Sequence, residues 1–296
     1  MRTLAPISIS TYNRIEHLRE TIKSLKKNDL AKESILYIFL DAPKNGDEEI
    51  VQKVRDYVHT IDGFKEVRII EQKVNDINKN MNDARTIPLE EFGKMIRMED
   101  DNVVSSSFLN YMNDGLDFYE NNKKIIAISG FNVPVKYPDN YKYDYYLSTY
   151  FNAWGYATWA NKGFLDIVNY SDQYNEMMGD KELHKKVKRI HPKLINGLKL
   201  IQEGKLNAGD YKMVFHLIKN NLYTIKPIKS FVDNIGHDGS GLHCGVNDRL
   251  QNIELNQGRI NFTEKINYNK NIDLIYYKYV TKNENLLKRI YNKVFR

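Results

Sequence analysis

The sequence predicts an α/β protein with a Rossmann-like, mostly parallel sheet flanked by helices, followed by an aromatic-rich lobe. Three observations predict it. Up to about Gly130, short β-branched apolar runs alternate with amphipathic stretches, the pattern of βαβ units feeding a parallel sheet. Beyond Gly130 the alternation gives way to a loop-rich region carrying Tyr137, Tyr141, Tyr143, Tyr145, Tyr146, Tyr150, Trp154 and Trp159. Between the two, an acidic run, Glu99-Asp100-Asp101, directly follows an apolar strand, where an open α/β sheet places its ligands.

The elements follow from periodicity. Leu4 to Ser10 reads as the first strand, and Ile15, Leu18, Ile22 and Leu25 recur at three- and four-residue spacing through a helix from about Arg14 to Lys27. Ile35 to Leu40 reads as the second strand and Val51, Val54 and Val58 mark the next helix. Val67 to Ile70, Lys94 to Met98 and Ile125 to Ser129 complete the strands, with a helix near Phe108 to Tyr119 between the last two. No Pro/Ser-rich linker marks the change of pattern, which favours one domain with two functional lobes.

Composition narrows the classes. With 296 residues, 42% hydrophobic and 28% charged, the chain can bury a core and has the make-up of a soluble globular protein. Its longest uninterrupted apolar stretch, Ile35 to Leu40, is far short of the roughly 20 residues of a membrane-spanning helix, and the N-terminus lacks a secretory apolar region. A cytosolic location is expected. Cys244 is the only cysteine, so an intrachain disulfide and a thiolate metal cluster are excluded. The net charge of +6 is uneven. From residue 262 to 296, eight Lys/Arg face three Asp/Glu, leaving the preceding 261 residues nearly neutral. Basic excess confined to one end, with tyrosines not interleaved with arginine, argues against nucleic acid as a partner.

An isolated acidic triplet reads equally as a solvated turn with capping acids. In an extended backbone, however, Glu99 and Asp101 project to one side and Asp100 to the other, so one face can serve a metal and the other a ribose. A hard Mg2+ or Mn2+ ion takes one or two carboxylates from a protein and fills its remaining positions with water and diphosphate oxygens. No CxxC or HExxH pattern points to a zinc-type site.

The run from Glu99-Asp100-Asp101 to Phe108-Leu109-Asn110-Tyr111 resembles the Glu-Asp-Asp variant of the acidic signature of the N-acetylglucosaminyltransferase I family and of related bacterial surface-polysaccharide glycosyltransferases. Other pieces fall in the same order. Thr11-Tyr12-Asn13-Arg14 resembles the family's first nucleotide-contacting turn, Phe39-Leu40-Asp41-Ala42-Pro43 its base-binding acid, and Asn75 and Ala84-Arg85 two segments upstream of the acidic motif. Ile77 departs from the pattern, standing where a glycine is usual. The resemblance covers residues 7 to 130 well and implies a GT-A fold. It implies Asp101 as metal ligand, Asp100 at the ribose or a metal-bound water, Glu99 at the donor sugar, Asp41 at the base, and Arg14 beside the base or diphosphate. A turn residue before Pro43 and a surface cation at a helix start remain the alternatives for Asp41 and Arg14.

On the acceptor side, Phe151-Asn152-Ala153-Trp154-Gly155-Tyr156-Ala157-Thr158-Trp159 is similar to a Trp-Gly-Trp-Ala-Thr-Trp stretch of the bacterial relatives, which implies acceptor contacts at Trp154, Gly155 and Tyr156. Aromatic platforms suit the apolar faces of pyranose rings, and at least one of the two tryptophans is expected in the core. Gly209-Asp210-Tyr211 opens a helical pattern, where an aspartate is ordinarily an N-cap. With Ile225-Lys226-Pro227 and Asn234-Ile235-Gly236-His237 downstream, the segment resembles the family's region that holds the catalytic base, which implies Asp210. Asp180, Glu203 and Asp233 are the next candidates. The glycine-rich stretch Gly236 to His243 reads as a loop over the donor or as plain surface, with His243 a second possible metal or diphosphate contact.

The resulting expectation is a metal-dependent glycosyltransferase using Mn2+ or Mg2+ and a nucleotide-sugar donor, most simply a UDP-sugar, in inverting transfer to a glycan or lipid-linked glycan acceptor. Its parts are a nucleotide-sugar half (1–130), an acceptor and catalytic half (131–261) and a basic segment (262–296). In that last segment Leu286, Leu287, Ile290, Tyr291 and Val294 share one helical face, so a basic C-terminal helix either lies on an anionic membrane surface at the inner face of the membrane or packs back on the domain. The rivals are a nucleotide-sugar-binding pseudoenzyme and a sugar nucleotidyltransferase. The latter needs a glycine-rich phosphate loop after strand one, and Thr11 to Arg14 contains no glycine.

Overall fold

The β-branched runs fold into the expected strands. In the computed structural model, which describes residues 2–239, 250 and 252–281, the elements follow in the order β1 (Ile7–Thr11), α1 (Ile15–Leu25), β2 (Ile35–Leu40), α2 (Glu48–Val58), β3 (Glu66–Glu71), α3 (Ile77–Phe92), β4 (Lys94–Glu99), β5 (Asn102–Val104), α4 (Phe108–Tyr119), β6 (Ile125–Ser129), β7 (Tyr145–Ser148), β8 (Tyr156–Trp159), α5 (Phe164–Asn169), α6 (Gln173–Gly179), α7 (Lys181–Ile190), α8 (Pro192–Gln202), α9 (Gly209–Asn220), β9 (Tyr223–Pro227), β10 (Val232–Asn234) and α10 (Lys270–Thr281). Among the described residues no helix is long and apolar enough to cross a membrane. The predicted C-terminal amphipathic helix lies outside the described residues.

Eight strands form one sheet in the order β3-β2-β1-β4-β8-β6-β9-β7, and β5 pairs with β10 in a separate antiparallel ribbon. β3, β2, β1 and β4 are mutually parallel, β6 is parallel to β9, and β8 and β7 run against their neighbours. The chain moves outward from β1 to β2 and β3 and then returns to β4 on the other side of β1. That reversal makes the gap between β1 and β4 the topological switch point of the sheet, and open α/β sheets bind ligands outside the carboxyl ends of the strands at such a point.

Apolar side chains bury both faces of the sheet. On one, α1 (Leu18, Ile22, Leu25) and α4 (Phe108, Leu109, Met112, Leu116) pack on Ile7, Ile9, Ile96 and Met98. On the other, the helices α5 to α9 close a second core around Leu194, Leu198, Met213 and Leu217 against Met95, Ile126 and Tyr156. Beyond Gly130, read as loop-rich, residues 164–202 are largely helical. Leu183 and Val187 in the lysine-rich α7 and Leu194 and Leu198 in α8 are buried pairs spaced by four.

Helix α3 is also absent from the sequence reading, because its three asparagines and Pro88 are poor helix formers. It is held by its ends and by a substitute hydrogen bond. Asp76 caps it by accepting from the backbone N–H of Lys79, and Gly93 ends it in the left-handed region at φ 70°. Pro88 has no N–H to offer the carbonyl of Ala84 four residues earlier. The buried Ser8 hydroxyl of β1 donates to that carbonyl instead, at 2.5 Å. The same bond fixes α3, and with it Arg85, against the central strand. Ser8→Ala leaves this buried carbonyl without a partner and should cost about 1–3 kcal/mol, read by chemical denaturation; a loss within error of zero would show that α3 is held by packing alone.

Candidate functional site

At the carboxyl end of β4 the chain leaves the sheet after Glu99 and turns through Asp100 and Asp101 into β5. The backbone is therefore not extended across the triplet, and the two aspartates do not diverge to opposite sides. Both reach Arg14, at the N-terminus of α1. Its Nη2 pairs with Asp100 Oδ1 and, at 2.9 Å, with Asp101 Oδ2. Thr11 Oγ1, at the end of β1, donates to Asp100 Oδ2 at 2.9 Å, and Thr21 Oγ1 donates to the Asp100 carbonyl at 2.9 Å. Asp101 Oδ1 accepts from the side-chain amides of Asn102 (2.9 Å) and Asn234 (3.1 Å), the residues paired across the β5–β10 ribbon.

Both aspartates are buried, and Arg14 is the cation that compensates them. Burial and the neighbouring Asp101 charge hold the Asp100 carboxyl above the usual range despite Arg14 and Thr11, while the two carboxylates raise the Arg14 guanidinium against the effect of its burial. Gly236, just past β10, is required by space. A Cβ there would lie 2.1 Å from Asp101 Oδ2 and 3.0 Å from Arg14 Nη1. The following turn packs against this side through a contact of His17 Nε2 with Asp238 Oδ2 (3.1 Å) and an edge-on contact of His237 with Trp154 at 5.1 Å between centroids.

Glu99, the last residue of β4, is half-buried. Burial first, then the charges of Asp101, Asp210 and Asp100, push its carboxyl up to about 8, with buried Arg97 opposing. Arg97 itself is brought down to about 10 by burial and donates to the Ser8 carbonyl at 3.3 Å and to the Ser10 hydroxyl.

Asp210 enters from the opposite lobe. It lies in the first turn of α9 but does not cap it; the N-cap position is Ala208 and no side chain caps this end. The Asp210 carboxylate instead accepts from the backbone N–H of Ala153 at 3.2 Å, in the aromatic turn before β8. Burial raises Asp210 to about 6, and the Ala153 hydrogen bond, Arg85 and Lys226 act against that rise. Arg85, projecting from α3, also hydrogen-bonds the Tyr156 phenol.

The remaining sequence candidates fall into two groups. Asp41, Asn75 and Tyr12 organise the loop after β2. Asp41 Oδ1 accepts from the N–H groups of Ala42 (2.8 Å) and Asp76 (2.9 Å), and Oδ2 from Asn75 Nδ2 (3.2 Å). Tyr12 donates to Asp47 at 2.6 Å and accepts from the Lys44 N–H at 2.9 Å, and the half-buried Asn13 follows in the same bend. Of the residues expected to contact an acceptor and their neighbours, Trp154 keeps a partly exposed ring, edge-on to Phe131 at 4.7 Å, whereas Trp159 is core, with its indole N–H donating to the Leu116 carbonyl at 3.2 Å. Tyr156 is buried too, its ring stacked on Phe164 at 5.1 Å. Gly155 serves the turn: its φ is +64°, and a Cβ would meet Val232 at 2.7 Å. His243 lies outside the described residues. Sequence reasoning had no signal for Asn234, Gly236 or Lys226 as part of this environment beyond their place in a resembling segment.

No family model and no curated protein matches this chain. Similar solved structures include the mannosyltransferase PcManGT from Pyrobaculum calidifontis in complex with GDP-Man and Mn2+, at 13% identity and TM-score 0.41, covering 73% of this chain and 69% of that one. S. aureus TarS 1-349 in complex with UDP-GlcNAc is similar at 13% identity and TM-score 0.37, over 78% of this chain and 58% of that one. The apo-form glycosyltransferase GlyE of Streptococcus pneumoniae TIGR4 is similar at 14% identity and TM-score 0.35, over 75% of this chain and 45% of that one. The chain thus matches less than two thirds of TarS 1-349 and of GlyE.

Removing the compensating cation tests the electrostatics directly. Arg14→Met should destabilise the fold by about 2–3 kcal/mol, since a buried carboxylate is left without its partner. With Arg14 gone, the folded-state pKa of Asp100 climbs further above its unfolded value. Stability is then retained at low pH and lost as pH rises, so urea midpoints for the variant should approach those of the parent at pH 5 and fall away from them at pH 8. An equal loss at both pH values would contradict the assignment of Arg14 as the charge partner.

Proposed function

We propose that this chain is a metal-dependent glycosyltransferase that moves a sugar from a nucleotide diphosphate sugar to a carbohydrate acceptor. One feature carries the reading: the acidic turn Glu99 to Asp101 lies at the carboxyl end of β4, at the switch point of a mostly parallel sheet, and Asp210 at the start of α9 is near enough for its charge to raise the Glu99 carboxyl. Donor binding falls to the β1, β2 and β4 ends. Thr11 to Arg14, Asp41 and Asn75 would hold the nucleotide, and Glu99 and Arg85 would face the sugar.

The acidic turn suits a hard divalent ion of the Mg2+ or Mn2+ type. Among the described residues no group of three or more His, Cys, Asp or Glu could form an all-protein metal cage. A diphosphate-bound ion needs only one or two carboxylates, however, and among the described residues the contact of Asp101 Oδ2 is with Arg14. Asp101 would hold the ion, with Asp100 and Glu99 adjacent; the ion supplies positive charge to a departing diphosphate. Arg14 would then be released to the diphosphate itself.

Asp210 is the base of this reading. Its carboxylate is anchored through one hydrogen bond to the turn that carries Trp154, which leaves acceptor positions for a sugar hydroxyl. Taking that proton as the hydroxyl attacks the anomeric carbon gives an inverting single displacement. Because Asp210 must be ionised to act and is held up to about 6, turnover should rise with pH through that value.

Thermal-shift titrations with UDP, GDP and UDP-sugars, with and without Mn2+, test the donor half. Stabilisation should require metal and vanish in Asp101→Ala; metal-independent binding retained by that variant would remove the donor-site assignment. Asp210→Asn should keep nucleotide-dependent stabilisation and lower turnover by about 10²- to 10⁴-fold, and near-parental turnover would move the base to another acid.

A further inference from the structure

Lys226 in β9 is fully buried, at 0% exposure, and the chemistry just described does not use it. An ammonium in such a place is costly unless its donors are met. Here they are. Lys226 Nζ donates to the Phe131 carbonyl at 3.3 Å and to Asn152 Oδ1 at 3.1 Å, and it sits 4.3 Å from the centre of the Tyr276 ring. These partners come from three places: the exit of β6, the aromatic turn before β8, and α10.

Asn152 immediately precedes Ala153, whose N–H holds Asp210. Its Oδ1 accepts from Lys226 and, at 3.4 Å, from the Ser129 hydroxyl, so Lys226 grips the same turn from behind that Asp210 grips in front. The helix that supplies Tyr276 is itself pinned to the sheet. Asp273, buried, accepts from the Ser148 hydroxyl (2.5 Å), the Thr149 N–H (3.0 Å), the Thr149 hydroxyl (2.6 Å) and the Tyr268 hydroxyl (3.2 Å).

We propose that Lys226 is a positioning residue for Asp210: it fixes the 151–156 turn through Asn152, with α10 as its wall, and its ammonium favours the ionised carboxylate. The inference rests on the reading of Asp210 as the base. The other groups acting on this pair are Arg85 from α3, Glu99 from β4, and Asp273 and Tyr276 from α10. Burial lowers Lys226 to about 7, and Asp273 and Asp210 oppose that fall. Each of the two groups favours the charged form of the other, so loss of the ammonium raises the Asp210 midpoint.

The test is the titration of the Asp210 carboxyl by 13C NMR, assigned by the signal missing in Asp210→Asn. In Lys226→Met and in Lys226→Gln, which keeps the side-chain hydrogen bonding without the charge, the midpoint should rise by about one pH unit. Lys226→Arg should return it most of the way, and melting temperatures of the folded variants should stay within a few degrees of the parent. Unchanged midpoints in Met and Gln variants would overturn the proposal. So would failure of both to fold, which would make Lys226 a purely structural residue; if only the Met variant fails, the Gln variant decides by the same criterion. Near-normal turnover by Asp210→Asn would remove the reading of Asp210 as base while leaving the titration result intact, so the two failures are distinguishable.

Discussion

The arrangement depends on one electrostatic constraint: two consecutive buried aspartates at the end of a central strand share a single guanidinium. Like charges this close are tolerated in a low-dielectric setting only with a cation between them and hydrogen-bond donors on the remaining oxygens. Arg14 provides the first, and Thr11, Asn102 and Asn234 provide the second. Each of these residues belongs to a different structural unit, so satisfying two carboxylates ties together β1, α1, β5 and β10. Gly236 follows from the same constraint, because Asp101 and Arg14 occupy the volume a side chain there would need.

A second charge is handled differently. Asp210 is not neutralised by a direct ion pair among the described contacts; it is restrained by one backbone N–H and by more distant cations, and its carboxyl stays elevated. The contrast between the two sites has a chemical sense. Carboxylates bound to a fixed cation suit holding charge, whereas a carboxylate poised near 6 suits exchanging a proton near neutrality. The acids lie toward one edge of the sheet, yet their surroundings hold them differently.

Much of the first half was legible because strands such as β2 and β6 carry runs of apolar residues that are buried on both faces, the usual signature of a parallel sheet. Ile35 to Leu40 in β2 and Ile125 to Ser129 in β6 matched residue for residue. The losses have physical causes. Helix α3 looks unlike a helix because Pro88 and the asparagines lower its propensity, and what rescues it is a serine 76 positions away in the chain. β7 and β8 are four residues long, too short for periodicity to declare them. In the candidate site, the acids were visible as residues but their partners were not. That Asp100 and Asp101 would converge on Arg14 depends on the turn after Glu99, and that Asp210 would bind Ala153 rather than cap its own helix depends on how α9 packs, neither of which is a local property.

The mixed direction of the strands explains how so many pieces reach one edge. In a purely parallel sheet only strand exits lie at the carboxyl edge, and every entering turn lies at the far side. β8 runs antiparallel between β4 and β6, with Tyr156 opposite Arg97 and Trp159 opposite Lys94. Its entrance therefore falls beside the exit of β4, which carries the aromatic turn 151–155 to Glu99. α9 precedes β9 in the usual helix-then-strand sense, so with β9 parallel to β6 the start of α9, and hence Asp210, lies toward the same edge. One reversed strand inserted into an otherwise parallel centre thus brings an entering turn, a helix start and two strand exits to one edge of the sheet. Acids that are far apart in the chain reach that edge without any long loop to carry them there.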